Sequence, residues 1–247
     1  MHPYRAERPF RRAFRAAASA VAALSMLFGW FTATGSAAYA QEPGGPAAQA
    51  AGKAVEVRGG NVIYSNTATR CTVGFNARGG STLYGLVTGR CAQGATHWYA
   101  DAALSVLVGT TAGASFPGND YALVRYTSSS VVFPGEVSLG TAGRVQDITG
   151  AASPTVGRSL CHVGRVTAYR CGTITAVNLT INYPEGTVSG LFRSNICSEP
   201  GDAGGPAFSG STALGVIVAA TGNCASGGAT YYQPVVEWLS MYGLSLY

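Results

Sequence analysis

From Val57 onward the chain is built of short runs rich in Val, Ile, Thr and Tyr, cut by Gly, Asn and Ser turns. Runs of this length, with β-branched and aromatic residues, are too short for core helices and suit strands. The clearest are Cys71–Phe75, Leu83–Thr88, Tyr121–Tyr126, Gly172–Val177, Val188–Phe192 and Leu214–Ala219. Many short strands with frequent turn signals predict an all-β barrel or sandwich. One helix stands apart, from Pro234 to about Tyr242, with Val235, Val236, Leu239 and Tyr242 predicted on one face and Gly243 suited to its C-terminal cap. No repeat of solenoid or propeller length is present.

Charge usage agrees with a turn-rich β domain and excludes two function classes. Charged residues are 11% of the 247, and there are 34 glycines. That is too little charge for charge-driven disorder, and the wrong composition for a coiled coil. The net charge of +5 invites a nucleic-acid partner. Position decides against it. Arg5, Arg8, Arg11, Arg12 and Arg15, with Glu7 alone opposing them, place +4 of that charge in the first fifteen residues.

This basic start is followed by an apolar run from about Ala16 to Thr34 and by Ala38-Tyr39-Ala40, the three parts of a secretory signal cleaved after residue 40. A retained anchor is the alternative, because the apolar run is just long enough to cross a bilayer core of about 30 Å. Arg11-Arg12 loosely matches a twin-arginine export signal. Residues 41–56, rich in Pro, Gly and Ala, read as a flexible tail. The remainder is expected to be secreted, monomeric and free of nucleic-acid or membrane contact. Asn178-Leu179-Thr180 is a glycosylation sequon with meaning only in a eukaryotic host.

Six cysteines follow the leader: Cys71, Cys91, Cys161, Cys171, Cys197 and Cys224. An even number in an exported chain implies disulfides, with fifteen connectivities open. Sequential pairing would close three local loops. No C-x-x-C occurs, and His97 and His162 have no ligand spacing between them, so neither metal nor cofactor is expected.

The segment Cys197-Ser198-Glu199-Pro200-Gly201-Asp202-Ala203-Gly204-Gly205-Pro206 resembles the nucleophile loop of the chymotrypsin-like serine proteases, in their secreted bacterial branch of streptogrisins and α-lytic protease. Val57-Arg58-Gly59-Gly60 resembles that branch's mature N-terminus, and Arg70-Cys71-Thr72-Val73-Gly74-Phe75 its first disulfide strand. Asn119-Asp120-Tyr121 is similar to its aspartate motif, and Tyr169-Arg170-Cys171-Gly172-Thr173-Ile174 to a further strand. Gly222-Asn223-Cys224 and Tyr231-Tyr232-Gln233-Pro234-Val235 match its C-terminal stretch. The resemblance covers roughly residues 57–247. It implies two six-stranded antiparallel β-barrels with a cleft between them and a short C-terminal helix, dividing near residues 140–155. It also implies the pairs Cys71–Cys91, Cys161–Cys171 and Cys197–Cys224. Members of the branch carry a folding prosegment, whereas only residues 41–56 separate signal and domain here, as expected of a chain with no activity to restrain.

The mechanism that the resemblance implies needs a serine nucleophile, an imidazole base and a buried aspartate. Asp120 stands at the aspartate position. Ala203 stands at the serine position, and Thr88-Gly89-Arg90-Cys91 places Arg90 at the histidine position. A methyl group cannot attack a carbonyl, and a guanidinium cannot accept the proton. On the strand beside the substrate, Val218, Ala219 and Ala220 replace a serine that supports the aspartate and two glycines. Five departures in one cleft point to natural loss of catalysis rather than to a single engineered inactivation. Neither His97 nor His162, both read as surface or turn residues, nor Ser198 nor Ser209, is expected to substitute. The Arg90 guanidinium is expected to hydrogen-bond Asp120; the alternative leaves it in solvent, with Asp120 held by backbone amides. The oxyanion loop, Gly201, Asp202 and Ala203, acts through backbone amides and needs no particular side chain. The expected role is binding of a peptide, protein or cell-envelope ligand, against the alternatives of an active endopeptidase and of a structural shell.

Overall fold

A computed structural model describes residues 54–140 and 143–247. The leader and most of the predicted tail lie outside the described residues. The tail's last two residues, Val55–Glu56, form a short strand parallel to Val131–Val132. They are anchored in part because Arg58 ion-pairs with Glu56 and with Glu136.

The first sheet runs in the order Arg70–Thr72, Val62–Ser65, His97–Tyr99, Leu107–Ser115, Tyr121–Tyr126, Thr82–Val87 and Phe75–Gly79. Its first and last members are consecutive in the chain, so the sheet curls back on itself. The predicted strand Cys71–Phe75 is therefore broken at Val73-Gly74, where the Val73 amide bonds Asn61 and the Gly74 amide bonds Leu86. The chain changes partners there. Ile63, Val73, Val87, Trp98, Val108 and Val124 fill the interior.

The second sheet uses longer strands than the sequence suggested: Ser159–Gly164, Ala168–Tyr183, Gly186–Ser194, Pro206–Ser209, Thr212–Asn223 and Gly227–Pro234. Thr212–Asn223 also pairs with Gly227–Pro234, which closes a ring of six around Leu160, Ile174, Phe192, Leu214 and Tyr232. Closure removes exposed strand edges. With Arg70–Thr72 and Phe75–Gly79 counted as one bent strand, the architecture is all-β, two six-stranded antiparallel barrels with one short C-terminal helix. Between the barrels the hairpin Glu136–Ser138/Val145–Asp147 carries the chain across, and Gly150–Ala151 adds a parallel edge to Thr212–Ala213.

Phe75, Leu86, Tyr121 and Leu123 from the first barrel pack with Val163, Phe208 and Val216 from the second in one cluster. The helix Val235–Tyr242 seals it with Val235, Trp238 and Leu239, and ends on Gly243 in the left-handed region. Trp238 rather than Val236 takes the inward face, the i, i+3, i+4 positions of a helical stripe. The three disulfides are Cys71–Cys91, Cys161–Cys171 and Cys197–Cys224.

Candidate active-site cleft

Asp120 opens the strand Tyr121–Tyr126 and is 2% exposed. Its Oδ1 accepts the Arg90 backbone amide at 2.7 Å. The close approach depends on Gly89, where a Cβ would lie 2.5 Å from the Ser115 carbonyl and 2.9 Å from the Tyr121 amide nitrogen. Burial raises the Asp120 carboxyl above the ordinary carboxylate range, opposed by the Arg90 amide, the Arg90 charge and the Gly89 amide. The expectation for Arg90 is corrected in one respect: the main chain, not the guanidinium, supplies the donor. The guanidinium instead lies 5.1 Å from the centre of the Tyr183 ring. That is a cation–π distance. The Asp120 amide donates to Gln233 Oε1 at 3.0 Å, and Gln233 Nε2 donates to Glu237 Oε2 at 2.9 Å. A fully buried glutamine thus ties the aspartate of one barrel to the last strand of the other and to the helix.

The loop preceding Pro206–Ser209 is shaped by Asp202, which is fully buried. Its Oδ1 accepts the Val166 and Thr167 amides at 2.7 and 3.1 Å, and its Oδ2 accepts the Thr167 hydroxyl and the Glu199 amide at 2.7 and 2.9 Å. Burial pushes this carboxyl up, but the Glu199 amide, the Thr167 hydroxyl and the other amides outweigh it and hold it below the usual range. The neighbouring Gly201 and Ala203 are exposed. Their amides donate to no other described group, while those of Asp202, Gly204 and Gly205 are all engaged within the protein. A Cβ on Gly201, which has φ +105°, would collide with Arg165 Nη2. The absent side chain is where the guanidinium rests.

Gly201 and Ala203 line two adjoining cavities. One, of about 250 Å³, is bounded by Ser198, Glu199, Val218, Ala219 and Ala220. The other, of about 190 Å³, is bounded by Arg70, Thr72, Thr88, the Cys71–Cys91 disulfide and Arg165. Thr88 and Cys91 bracket Gly89-Arg90, so the segment that anchors Asp120 runs along the edge of the second cavity. Val218 occupies a bulge between the Ile217–Tyr232 and Ala219–Tyr231 pairs. It joins an apolar cluster with Val188 and Leu191, against which Tyr183 and Ala219 pack. No hydroxyl reaches the Asp120 carboxylate from this strand among the described residues.

Residues 60–240 match the Trypsin family model. The chain belongs to the trypsin family.

Among relatives of this trypsin-family chain, serine protease 2 of Streptomyces fradiae is 44% identical over 176 residues, which span 70% of this chain and all of that protein. Streptogrisin-D of Streptomyces griseus is 41% identical over 191 residues, 77% of this chain. The chain covers 48% of the length of streptogrisin-D and 64% of that of streptogrisin-A. Among solved structures, alpha-lytic protease homolog N4 is 53% identical, with a TM-score of 0.72 over 78% of this chain and 100% of its own.

The two histidines of this trypsin-family domain differ from each other. His97 sits on the strand His97–Tyr99 with its ring exposed, as expected. His162, predicted as a surface or turn residue, is instead fully buried on Ser159–Gly164, with Nδ1 2.8 Å from the Tyr232 hydroxyl. Burial, only partly offset by Asp202, lowers its pKa to about 4. It lines neither cavity. Ser198 is buried against Thr230, and Ser209 ends a strand away from both cavities. Sequence reasoning did not single out Tyr183, Gln233, Arg70 or Arg165 for the cleft. Gln233 alone left a trace, as an amide side chain directly before the helix-opening Pro234.

Proposed function

We propose that this trypsin-family chain is secreted and catalytically inactive, and acts by holding a peptide or protein segment in the groove beside Ala203. The observation that carries the reading is the replacement of both proton-handling groups around a retained aspartate. Where catalysis needs a hydroxyl and an imidazole, the chain carries Ala203 and Arg90. The guanidinium is engaged by Tyr183 and cannot accept a proton. Asp120, which would orient an imidazole, spends its Oδ1 on the Arg90 amide. Neither histidine is poised to replace the base. His162 is walled off and His97 lines neither cavity. What remains suits binding: free amides at Gly201 and Ala203 and two adjoining cavities. Three disulfides fit export into an oxidising compartment.

A fluorescent phosphonate that traps active-site serines, together with hydrolysis of casein and of chromogenic tetrapeptides, tests the reading. No label and no turnover are expected; covalent labelling of the wild-type protein overturns it. Restoring both groups, Ala203→Ser with Arg90→His, is expected to recover little activity, because Val218, Ala219 and Ala220 crowd the strand on which a substrate would lie. Vigorous turnover by that double variant would show that those three residues leave the cleft competent.

A further inference from the structure

The two cavities meet at Gly201 and Ala203, and they differ in character. The cavity on the Val218 side is the larger; it is lined by Val218, Ala219 and Ala220 together with Ser198 and Glu199, whose Oε1 accepts the Cys224 amide at 2.8 Å. The cavity on the disulfide side is lined by two basic residues, Arg70 and Arg165, and the Arg165 guanidinium reaches Gly201. Neither has a carboxylate partner: among the described residues the only ion pairs are those of Arg58. The two buried carboxylates nearby are committed elsewhere, Asp120 to the Arg90 amide and Asp202 to its loop. Arg165, though exposed, rests its Nη2 against Gly201, beside the free amides.

Two unengaged amides flanked by two unpaired guanidiniums make a site for a carboxylate, because charge-assisted bonds to such a group are short and about twice as strong as neutral ones. We infer that the groove recognises the free C-terminus of a peptide: the last side chain enters the cavity bounded by Val218, Ala219 and Ala220, and the terminal carboxylate lies on the Gly201 and Ala203 amides, facing Arg165 and Arg70. The inference rests on the binding reading given above and adds to it the class of ligand. A chain continuing past Ala203 would have to displace water from both guanidiniums without neutralising either. A chain that ends there neutralises them. The Ala203 methyl also leaves no hydroxyl to compete for the same amides.

The test is fluorescence polarisation with the disulfide-intact, full-length protein and fluorescein-labelled Ala-Ala-Pro-Zaa peptides, Zaa being Ala, Val, Leu or Phe. Each peptide is compared as the free acid, as the C-terminal amide, and as the amide extended by one Asp. The tightest free acid is expected to bind at least about tenfold more tightly than its amide, with a preference that weakens as NaCl rises. Arg165→Gln is expected to bring the acid-to-amide ratio below about threefold, and Arg70→Gln to lower it in the same direction. Both residues are exposed, and an unchanged unfolding midpoint confirms that each variant is folded. Acid and amide binding equally overturns the inference while leaving the groove a peptide binder. Equal binding of the Asp-extended amide also overturns it, since charge and not the chain end would then be read. Failure of every peptide to bind removes both this inference and the binding reading beneath it.

Discussion

Replacing Asp202 by Asn tests whether the free amides of the groove are held in place by one buried carboxylate. Asp202 accepts four hydrogen bonds, two on each oxygen. In the Asp202→Asn variant one oxygen still accepts the Val166 and Thr167 amides, but an NH₂ group faces the Thr167 hydroxyl and the Glu199 amide. The hydroxyl rotates to accept. The Glu199 amide has no such freedom and is left unsatisfied, a cost of about 1–3 kcal/mol. The two remaining bonds lose their charge assistance, about 1 kcal/mol each, and burying a neutral amide instead of an anion returns part of the sum. The net expectation is a loss of about 3 kcal/mol. With m near about 2 kcal/mol/M, the urea midpoint falls by about 1.5 M. The measurement is equilibrium urea unfolding with disulfides intact, approached from both the folded and the unfolded side. Linkage supplies a second arm. The carboxyl is held below its ordinary value of 3.8, so its stabilisation is complete above that pH and is lost as pH falls through the lower, folded value. The gap between wild type and variant must therefore close below about pH 3.8. A variant within about 0.5 kcal/mol of wild type at pH 7, or a gap that persists in acid, refutes the reasoning.

Three other outcomes follow from the same contacts. Arg90→Ala keeps the backbone bond to Asp120 and loses only the contact with Tyr183, so calorimetry is expected to show a loss below about 1 kcal/mol; a loss above about 2 kcal/mol would restore the guanidinium to a structural role. His162 is neutral when folded, with a pKa of about 4 against 6.5 unfolded, so stability is expected to fall by up to about 3 kcal/mol as pH drops from 6.5 to 4. His162→Phe should flatten that segment of a denaturation-against-pH curve, and an unchanged slope counts against it. Replacing both Cys197 and Cys224 by Ser releases a loop closed over a separation of 27 residues and is expected to cost about 3.5 kcal/mol on the chain-entropy estimate, read from the urea midpoint.

Much of this molecule could be read without coordinates, for identifiable reasons. Short β-branched runs and turn residues are local signals, and they placed the strand Tyr121–Tyr126 as observed. Other strands were found but cut short, because pairing with a neighbour extends a strand past its own propensity. Ala168–Tyr183 is the clearest case, carried by partners on both sides. The helix face was misassigned by one residue because Trp238 buries more apolar area than Val236 and takes the core position. His162 was misread for a similar reason. Nothing in its immediate sequence shows that Tyr232, seventy positions on, encloses it.

What the side chains at positions 203 and 90 can do was set by the sequence alone, since no fold gives a methyl group a lone pair or a guanidinium a vacant site for a proton. Ala203 and Arg90 decide that wherever the chain carries them. Tertiary structure decided what the remaining groups do. It brought the Arg90 main chain, not its side chain, to Asp120, and sent Gln233 across from the second barrel to meet the same residue. It also set Arg165 against Gly201 and joined two cavities at Gly201 and Ala203. Those relations depend on the path of the backbone between elements far apart in the chain, and that path is chosen by packing two closed barrels against each other.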